Sequence, residues 1–83
     1  GQTKKNASGS YTVQVAALTA KKDAQKVLIR LKAKGYPAEM ILPSSGDRYY
    51  RVWVGQFGMT THALKMEKKL REDGFLTFLK KIN

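Results

Sequence analysis

The side chains best suited to chemistry lie at alternate positions of two segments that also contain regularly spaced valines. Thr12 and Gln14 belong to the first segment, and Tyr49, Arg51 and Trp53 belong to the second. Aromatic rings beside an amide and a guanidinium suit a flat ligand with apolar faces and hydrogen-bonding edges. Sugar rings and nucleobases both have this character, so these residues predict a binding surface for one of the two.

The same inventory contains little that catalyses a reaction. There is one histidine, His62, with six acidic residues and no cysteine, which leaves no catalytic triad, paired-carboxylate site or thiolate metal site. Sixteen lysines and arginines give a net charge of +10, which favours anionic partners such as nucleic acid, membrane surfaces or acidic polysaccharides. We therefore predict a binding module that is not an enzyme and uses no metal or cofactor.

The elements that hold these residues can be read from apolar spacing. Four strands are predicted, at 11–16, 36–42, 49–54 and 75–82. Between them, apolar residues at helical spacing predict two helices that end at Gly35 and Gly74, the second with Thr60 as its N-cap. Residues 1–10 are polar and predict a flexible linker or a cloning remnant, so the domain is expected to span 11–83.

The two halves of the chain resemble each other. A shift of 39 positions gives seven identities over the 26 positions from Tyr11 to Tyr36, among them Val13 with Val52. Each half is a strand-helix-strand unit. The order predicts an α+β, ferredoxin-like or RNP-like βαββαβ sandwich, with a four-stranded antiparallel-type sheet and two helices on one face. The first and third strands are expected to be central neighbours that run parallel.

Two short helices cover one face of such a sheet and leave the other face open. Tyr11, Val13 and Val15 must face the helices together with Tyr50, Val52 and Val54, because a one-residue slip would bury Arg51 and expose three valines. Solvent is then expected to meet the alternate residues, which are Thr12, Gln14, Ala16, Glu39, Ile41, Tyr49, Arg51, Trp53, Phe78 and Lys80. Ten of the 16 basic residues fall in or beside the helices, so most of the positive charge lies away from this face.

Three kinds of partner fit an open aromatic sheet. A single-stranded nucleic-acid domain of the RRM type shares the strand order and the basic charge, but residues 48–52 lack the Gly-Phe core of its RNP1 pattern and Gln14 stands where an aromatic is needed. A protein-interaction domain would dock another chain on the sheet. A carbohydrate-binding module would stack sugar rings on Trp53 and Tyr49.

The ordered residues resemble a SPOR (sporulation-related repeat) domain. The first half carries Val13-Gln14-Val15-Ala16 and Gly35-Tyr36, and the second carries Tyr50-Arg51-Val52-Trp53-Val54-Gly55-Gln56-Phe57 and Gly74-Phe75. The resemblance runs from Tyr11 to about Ile82 and includes the internal repeat. Relatives usually end the first strand in Gly-Ser-Phe, whereas this chain has Ala16-Ala17-Leu18 and lacks that serine hydroxyl.

This resemblance implies a bacterial envelope module that binds peptidoglycan glycan strands, preferably those lacking stem peptides. It implies that the module targets a parent protein, membrane-anchored or a wall-cleaving enzyme, to the division septum. Other division or cell-wall proteins are further expected partners, nucleic acid is not expected, and the domain is expected to be a monomer in the periplasm or cell envelope. The predicted glycan-binding residues are Gln14, Arg51, Trp53, Tyr49, Thr12 and Phe78.

A physical reason for the preference follows from the ligand. Removal of a stem peptide leaves the lactyl group of N-acetylmuramic acid as a free carboxylate, which suits an exposed arginine on a basic domain. We expect Arg51 to pair with this carboxylate, Gln14 to bond acetamido or hydroxyl groups, and Trp53 with Tyr49 to stack on pyranose faces.

Overall fold

A computed structural model describes residues 9–82 of the chain. Its elements are β1 (Tyr11–Leu18), α1 (Lys21–Ala33), β2 (Ala38–Ile41), β3 (Tyr50–Phe57), α2 (Thr60–Glu72) and β4 (Phe78–Lys81). The predicted linker is largely outside the described residues. At its end, the Ser10 carbonyl accepts a hydrogen bond from the Ile82 N–H at 2.7 Å, so residue 10 is already held against the last strand.

The element order and the sheet confirm the predicted α+β, ferredoxin-like class. The strands lie in the order β2-β3-β1-β4, with β1 and β3 as central neighbours. The expectation that these two run parallel is wrong, because every pair in the sheet is antiparallel. The α1 crossover makes β2 run in the same direction as β1, and the turn that follows reverses the chain, so β3 opposes β1.

The core lies between the sheet and the helices. Val13, Val52 and Val54 are fully buried, as the period-two pattern predicted. Leu31 of α1 and Leu70 of α2 cover them and are also fully buried. The buried alanines Ala24 and Ala63 occupy equivalent places in the two halves, and a methyl side chain there lets each helix approach the sheet closely.

Both helices end in the same way, which explains why glycine recurs after 39 positions. Gly35 and Gly74 have φ of 88° and 92°, in the left-handed region where a Cβ is unfavourable. The next residue bonds back to the helix in each case, from Tyr36 N–H to the Leu31 carbonyl at 3.1 Å and from Phe75 N–H to the Leu70 carbonyl at 3.0 Å. These are Schellman motifs, and they direct two aromatic rings into the core.

The start of α2 differs by one residue from the prediction. Thr60 is the first helical residue and Met59 is the N-cap, without a side-chain capping bond. All four strands also differ in length from the prediction, because β1 extends to Leu18, β3 runs from Tyr50 to Phe57, and β2 and β4 have four residues each. The residues that lead into β2 and β4 serve the turns after the helices, which shortens both strands.

Tyr36 joins the end of α2 to the core. Its hydroxyl donates to Asp73 Oδ2 at 2.5 Å. Burial, together with this carboxylate acceptor, raises the pKa of Tyr36 from 10.0 to about 12. The neutral phenol is therefore the form that the folded state stabilises.

We expect Tyr36→Phe to lower the free energy of unfolding near pH 7 by about 1 to 2 kcal/mol through loss of this bond. Because the folded pKa of Tyr36 is the higher one, its contribution is fully present below pH 10 and is lost as the pH rises towards 12. The difference in the free energy of unfolding between wild type and variant should decrease as the pH rises from 10 to about 12. Denaturant unfolding at several pH values measures it, and a gap that stays constant would contradict this role.

Two irregularities alter the faces of the central strands. Between Gln14 and Ala16, β1 has one residue more than β3, and between Val54 and Phe57, β3 has one more than β1. The first bulge pairs Ala16 with Val52 on the core side and Ala17 with Arg51 on the open side. The prediction that Ala16 faces solvent is therefore wrong, because the extra residue reverses the alternation beyond Val15.

Neither helix is a candidate for a membrane span. Within residues 9–82, no helix has the length and apolar content that crossing a bilayer requires.

Candidate functional site

A row of four side chains crosses the middle of the uncovered sheet face. Gln14 lies opposite Trp53 of β3 and opposite Phe78 of β4, and Glu39 of β2 lies opposite Trp53 on the other side. The structure therefore brings together three of the predicted residues, Gln14, Trp53 and Phe78. Phe78 is 69% exposed at one end of the row, whereas Trp53 is half-buried at its centre.

Trp53 and Gln14 form a hydrogen-bonded pair across β1 and β3. The indole Nε1 of Trp53 donates to Oε1 of Gln14 at 3.0 Å. The bond fixes the plane of the indole on the sheet, and it orients the glutamine amide. An indole N–H can only donate, so the amide oxygen must face it and the amide NH₂ remains for a ligand.

Arg51 lies two residues before Trp53 on the same face, at the edge of the row. Its guanidinium pairs with both carboxylate oxygens of Asp47, through a short bond from Nη1 and a longer contact of 3.5 Å from Nη2. The guanidinium carbon also lies 5.6 Å from the centre of the Tyr49 ring. Tyr49 is 40% exposed, so this end of the face is an arginine held between a carboxylate and a phenol ring.

Sequence reasoning missed Asp47, which ends the turn before β3. Asp47 Oδ1 also accepts the Tyr49 N–H at 3.2 Å, so one side chain both closes the turn and positions Arg51. The hydrogen bond from Arg51 lowers the pKa of Asp47, and the backbone donors act in the same direction. The available signal was the spacing of Asp47 and Arg51, four residues apart between the end of the turn and the start of β3.

Thr12 is not part of the exposed surface. Its side chain has no solvent exposure, and Oγ1 donates to the Gly55 carbonyl at 2.5 Å. Gly55 lies in the bulge of β3 and has a φ of 74°. The expectation that Thr12 points to solvent is wrong, because the bulge in β3 brings the Gly55 carbonyl within hydrogen-bonding distance of this buried hydroxyl.

We expect Thr12→Val to lower the free energy of unfolding by about 1 kcal/mol, because the bulge carbonyl loses its donor while the side chain keeps its shape. Ligand affinity should stay within twofold of wild type. Thermal melting and a ligand-sedimentation assay measure the two effects. A large loss of affinity in a fully folded variant would mean that this hydroxyl reaches the ligand.

The charge distribution separates the two faces of the domain. Nine lysines and arginines lie within α1 and α2, and Arg30 covers the Phe75 ring at 4.9 Å. The open face carries Arg51 and Lys80 against Asp47 and Glu39, a nearly balanced set. Strong positive charge therefore belongs to the helical layer, in agreement with the sequence, and the aromatic row has hydrogen-bonding rather than phosphate-binding character.

No cluster of three or more histidine or acidic side chains that could hold a metal ion occurs among residues 9–82. His62 lies exposed in the first turn of α2, in the helical layer and not in the open face.

Comparison with protein families identifies the group to which this arrangement belongs. The sequence profile of the SPOR domain matches residues 7–81, nearly the whole chain. The chain belongs to the SPOR family. Searches of curated proteins and of solved structures give no match. SPOR domains bind peptidoglycan and are associated with the cell envelope and the division septum, and the family is one of binding domains.

Membership confirms the resemblance seen in the sequence and gives this SPOR domain its class of partner, peptidoglycan. The matched region includes every element from β1 to β4. On the open face, the row Phe78-Gln14-Trp53 and the adjoining Arg51 together offer aromatic rings for stacking and groups for hydrogen bonding.

Proposed function

We propose that this SPOR domain binds glycan strands of peptidoglycan that have lost their stem peptides, and that it thereby directs a parent protein to the division septum. The observation that supports this most is the pairing of aromatic and hydrogen-bonding groups in one row on an uncovered sheet. Pyranose rings present C–H faces to aromatic rings, and their substituents meet Gln14 at the row's centre. Gln14, Trp53, Phe78, Tyr49 and Arg51 are the proposed contact residues.

The preference for bare strands has an electrostatic basis at Arg51. Amidase cleavage converts a lactyl amide into a free carboxylate, and a guanidinium binds a carboxylate far better than it binds an amide. Asp47 engages Arg51 from one side only, and a guanidinium has five N–H donors. Arg51 therefore keeps donors for a lactyl carboxylate, while its present partner limits how strongly it attracts one.

The affinity of one site is expected to be modest and that of a polymer high. Each net hydrogen bond contributes about 1 kcal/mol, and few such bonds fit in the row. A long glycan offers many equivalent sites, and tethering of several domains in one membrane would raise the effective concentration. Localisation at a septum rich in bare strands follows from this avidity.

Co-sedimentation with purified sacculi tests the proposal. The fraction of domain bound should rise several-fold after digestion of the sacculi with an active amidase and should not change with a heat-inactivated one. Binding that is equal in the two cases, or lower after digestion, would contradict the preference. A salt titration separates the nucleic-acid alternative, since phosphate contacts weaken steeply with salt and stacking on sugars does not.

A further inference from the structure

An apolar pocket lies beside Gln14 at the edge of the open face. Its volume is about 400 Å³, and its walls are β1 from Val15 to Leu18, Val27 of α1, and the side chains of Leu76 and Phe78. It exists because β4 pairs only with Tyr11–Gln14. Beyond Gln14, no described strand pairs with β1 on the β4 side. Leu76, in the segment that leads into β4, lines the pocket there.

The rim of the pocket carries one polar group with a defined orientation. Oε1 of Gln14 is occupied by the Trp53 indole at 3.0 Å. The amide NH₂ is consequently the part of Gln14 that a ligand meets. A ligand group that fits both features has an acceptor oxygen for this donor and an apolar end for the pocket.

We infer that the pocket receives the methyl group of an N-acetyl substituent, with the acetamido oxygen accepting a hydrogen bond from Gln14. This inference rests on the proposed function and concerns the same site. Both sugars of peptidoglycan carry this substituent, and the pocket is continuous with the aromatic row through Phe78. The site therefore contacts the N-acyl group as well as the apolar face of the sugar ring.

The same geometry selects against N-deacetylated sugars. Loss of the acyl group leaves an ammonium, which can only donate and would meet the donating side of Gln14. It would also bring a positive charge against apolar walls on a domain whose net charge is +10. Deacetylated strands should bind this domain poorly even when they carry no stem peptides.

A series of N-acyl ligands tests the pocket. The probe is a soluble tetrasaccharide of alternating glucosamine and muramic acid without stem peptides, in N-acetyl, N-formyl, N-propionyl and free-amine forms, titrated by calorimetry. The N-formyl form is neutral but lacks the methyl group, and we expect it to bind roughly fourfold more weakly, the value of one buried methylene. The N-propionyl form should bind at least as well as the N-acetyl form because the pocket has room.

A matched pair of variants assigns the effect to the pocket. Leu76 is 84% exposed and lies on the pocket wall, whereas Leu42 is 62% exposed and lies outside it. Leu76→Ala should reduce the ratio of N-acetyl to N-formyl affinity, and Leu42→Ala should leave it unchanged. Thermal melts of both should match wild type, since neither side chain is buried.

The outcomes separate this inference from the proposed function. Equal binding of the formyl, acetyl and propionyl forms would overturn the inference that the pocket receives the acyl methyl group, and it would leave glycan recognition intact. Weaker binding of the propionyl form than of the acetyl form would likewise overturn it. Failure of the N-acetyl form to bind at all would overturn both proposals.

Discussion

Trp53→Ala is expected to weaken binding to amidase-treated sacculi by tenfold or more, the largest effect of any single side chain. The substitution removes the aromatic face at the centre of the row. It also removes the indole N–H that holds the Gln14 amide at 3.0 Å, so a second contact residue loses its orientation. Two parts of the proposed surface are lost with one side chain.

The stability of this variant should fall by about 1 to 2 kcal/mol, since the indole is half-buried on the sheet. Sedimentation is therefore measured well below the melting temperature, which circular dichroism supplies. Leu64→Ala is the matched control, because Leu64 is 49% exposed on the helical layer, and its binding should equal wild type. A folded Trp53→Ala variant with affinity within twofold of wild type would exclude the aromatic row as the binding surface.

Trp53→Phe distinguishes the two contributions of the indole. Phenylalanine keeps an aromatic face but cannot donate to Gln14. We expect an intermediate loss of affinity, with reduced discrimination between N-acetyl and N-formyl ligands. Full retention of affinity and discrimination would mean that the Trp53–Gln14 bond has no part in recognition.

Arg51→Ala and Asp47→Asn are expected to change binding in opposite directions. Arg51→Ala deletes the proposed contact with the lactyl carboxylate and should lower affinity about tenfold, as for a charge-assisted hydrogen bond. Asp47→Asn removes the anion that now engages Arg51 and should raise affinity about threefold. The asparagine side chain can still accept the Tyr49 N–H, so the turn is retained.

Arg48→Ala controls for simple loss of positive charge, because Arg48 is an exposed residue of the same turn. The affinity of Arg48→Ala should change by less than twofold in 0.15 M salt, where surface charges are screened over about 8 Å. Calorimetry with the tetrasaccharide, and with a form whose lactyl carboxylates are amidated, measures these effects. Equal losses for Arg48→Ala and Arg51→Ala, or an Arg51 effect that persists on the amidated ligand, would contradict the carboxylate contact.

The alternation of residue types predicted most of the fold and one face of the site. Val13, Val52 and Val54 had to share the buried side, because burial of an arginine in their place is too unfavourable. That single constraint placed Gln14 and Trp53 on the open face, where the structure has them. The glycines at 35 and 74 could also be predicted as helix ends, because the left-handed conformation that follows each helix favours glycine.

The misassigned residues lie at the two bulges. An added residue shifts the phase of a period-two pattern, but residues 15–18 are all apolar and show no alternation that would reveal the shift. The bulge exchanged Ala16 for Ala17 on the open face. The bulge near Gly55 likewise made Thr12 a buried donor where solvent exposure was expected. Backbone hydrogen bonding across strands decides such features, and neighbouring residue types do not encode it.

The amino-acid sequence by itself determined the βαββαβ order, the core and the placement of Gln14 and Trp53 on the open face, because these depend on which side chains are buried away from water. The tertiary structure alone decided the partners of the polar groups. Asp47 pairs with Arg51 four residues later, Gln14 meets the Trp53 indole from a strand 39 residues away, and the short pairing of β4 opens the pocket. Such contacts depend on distances of a few ångströms, which are fixed only when the strands are in register.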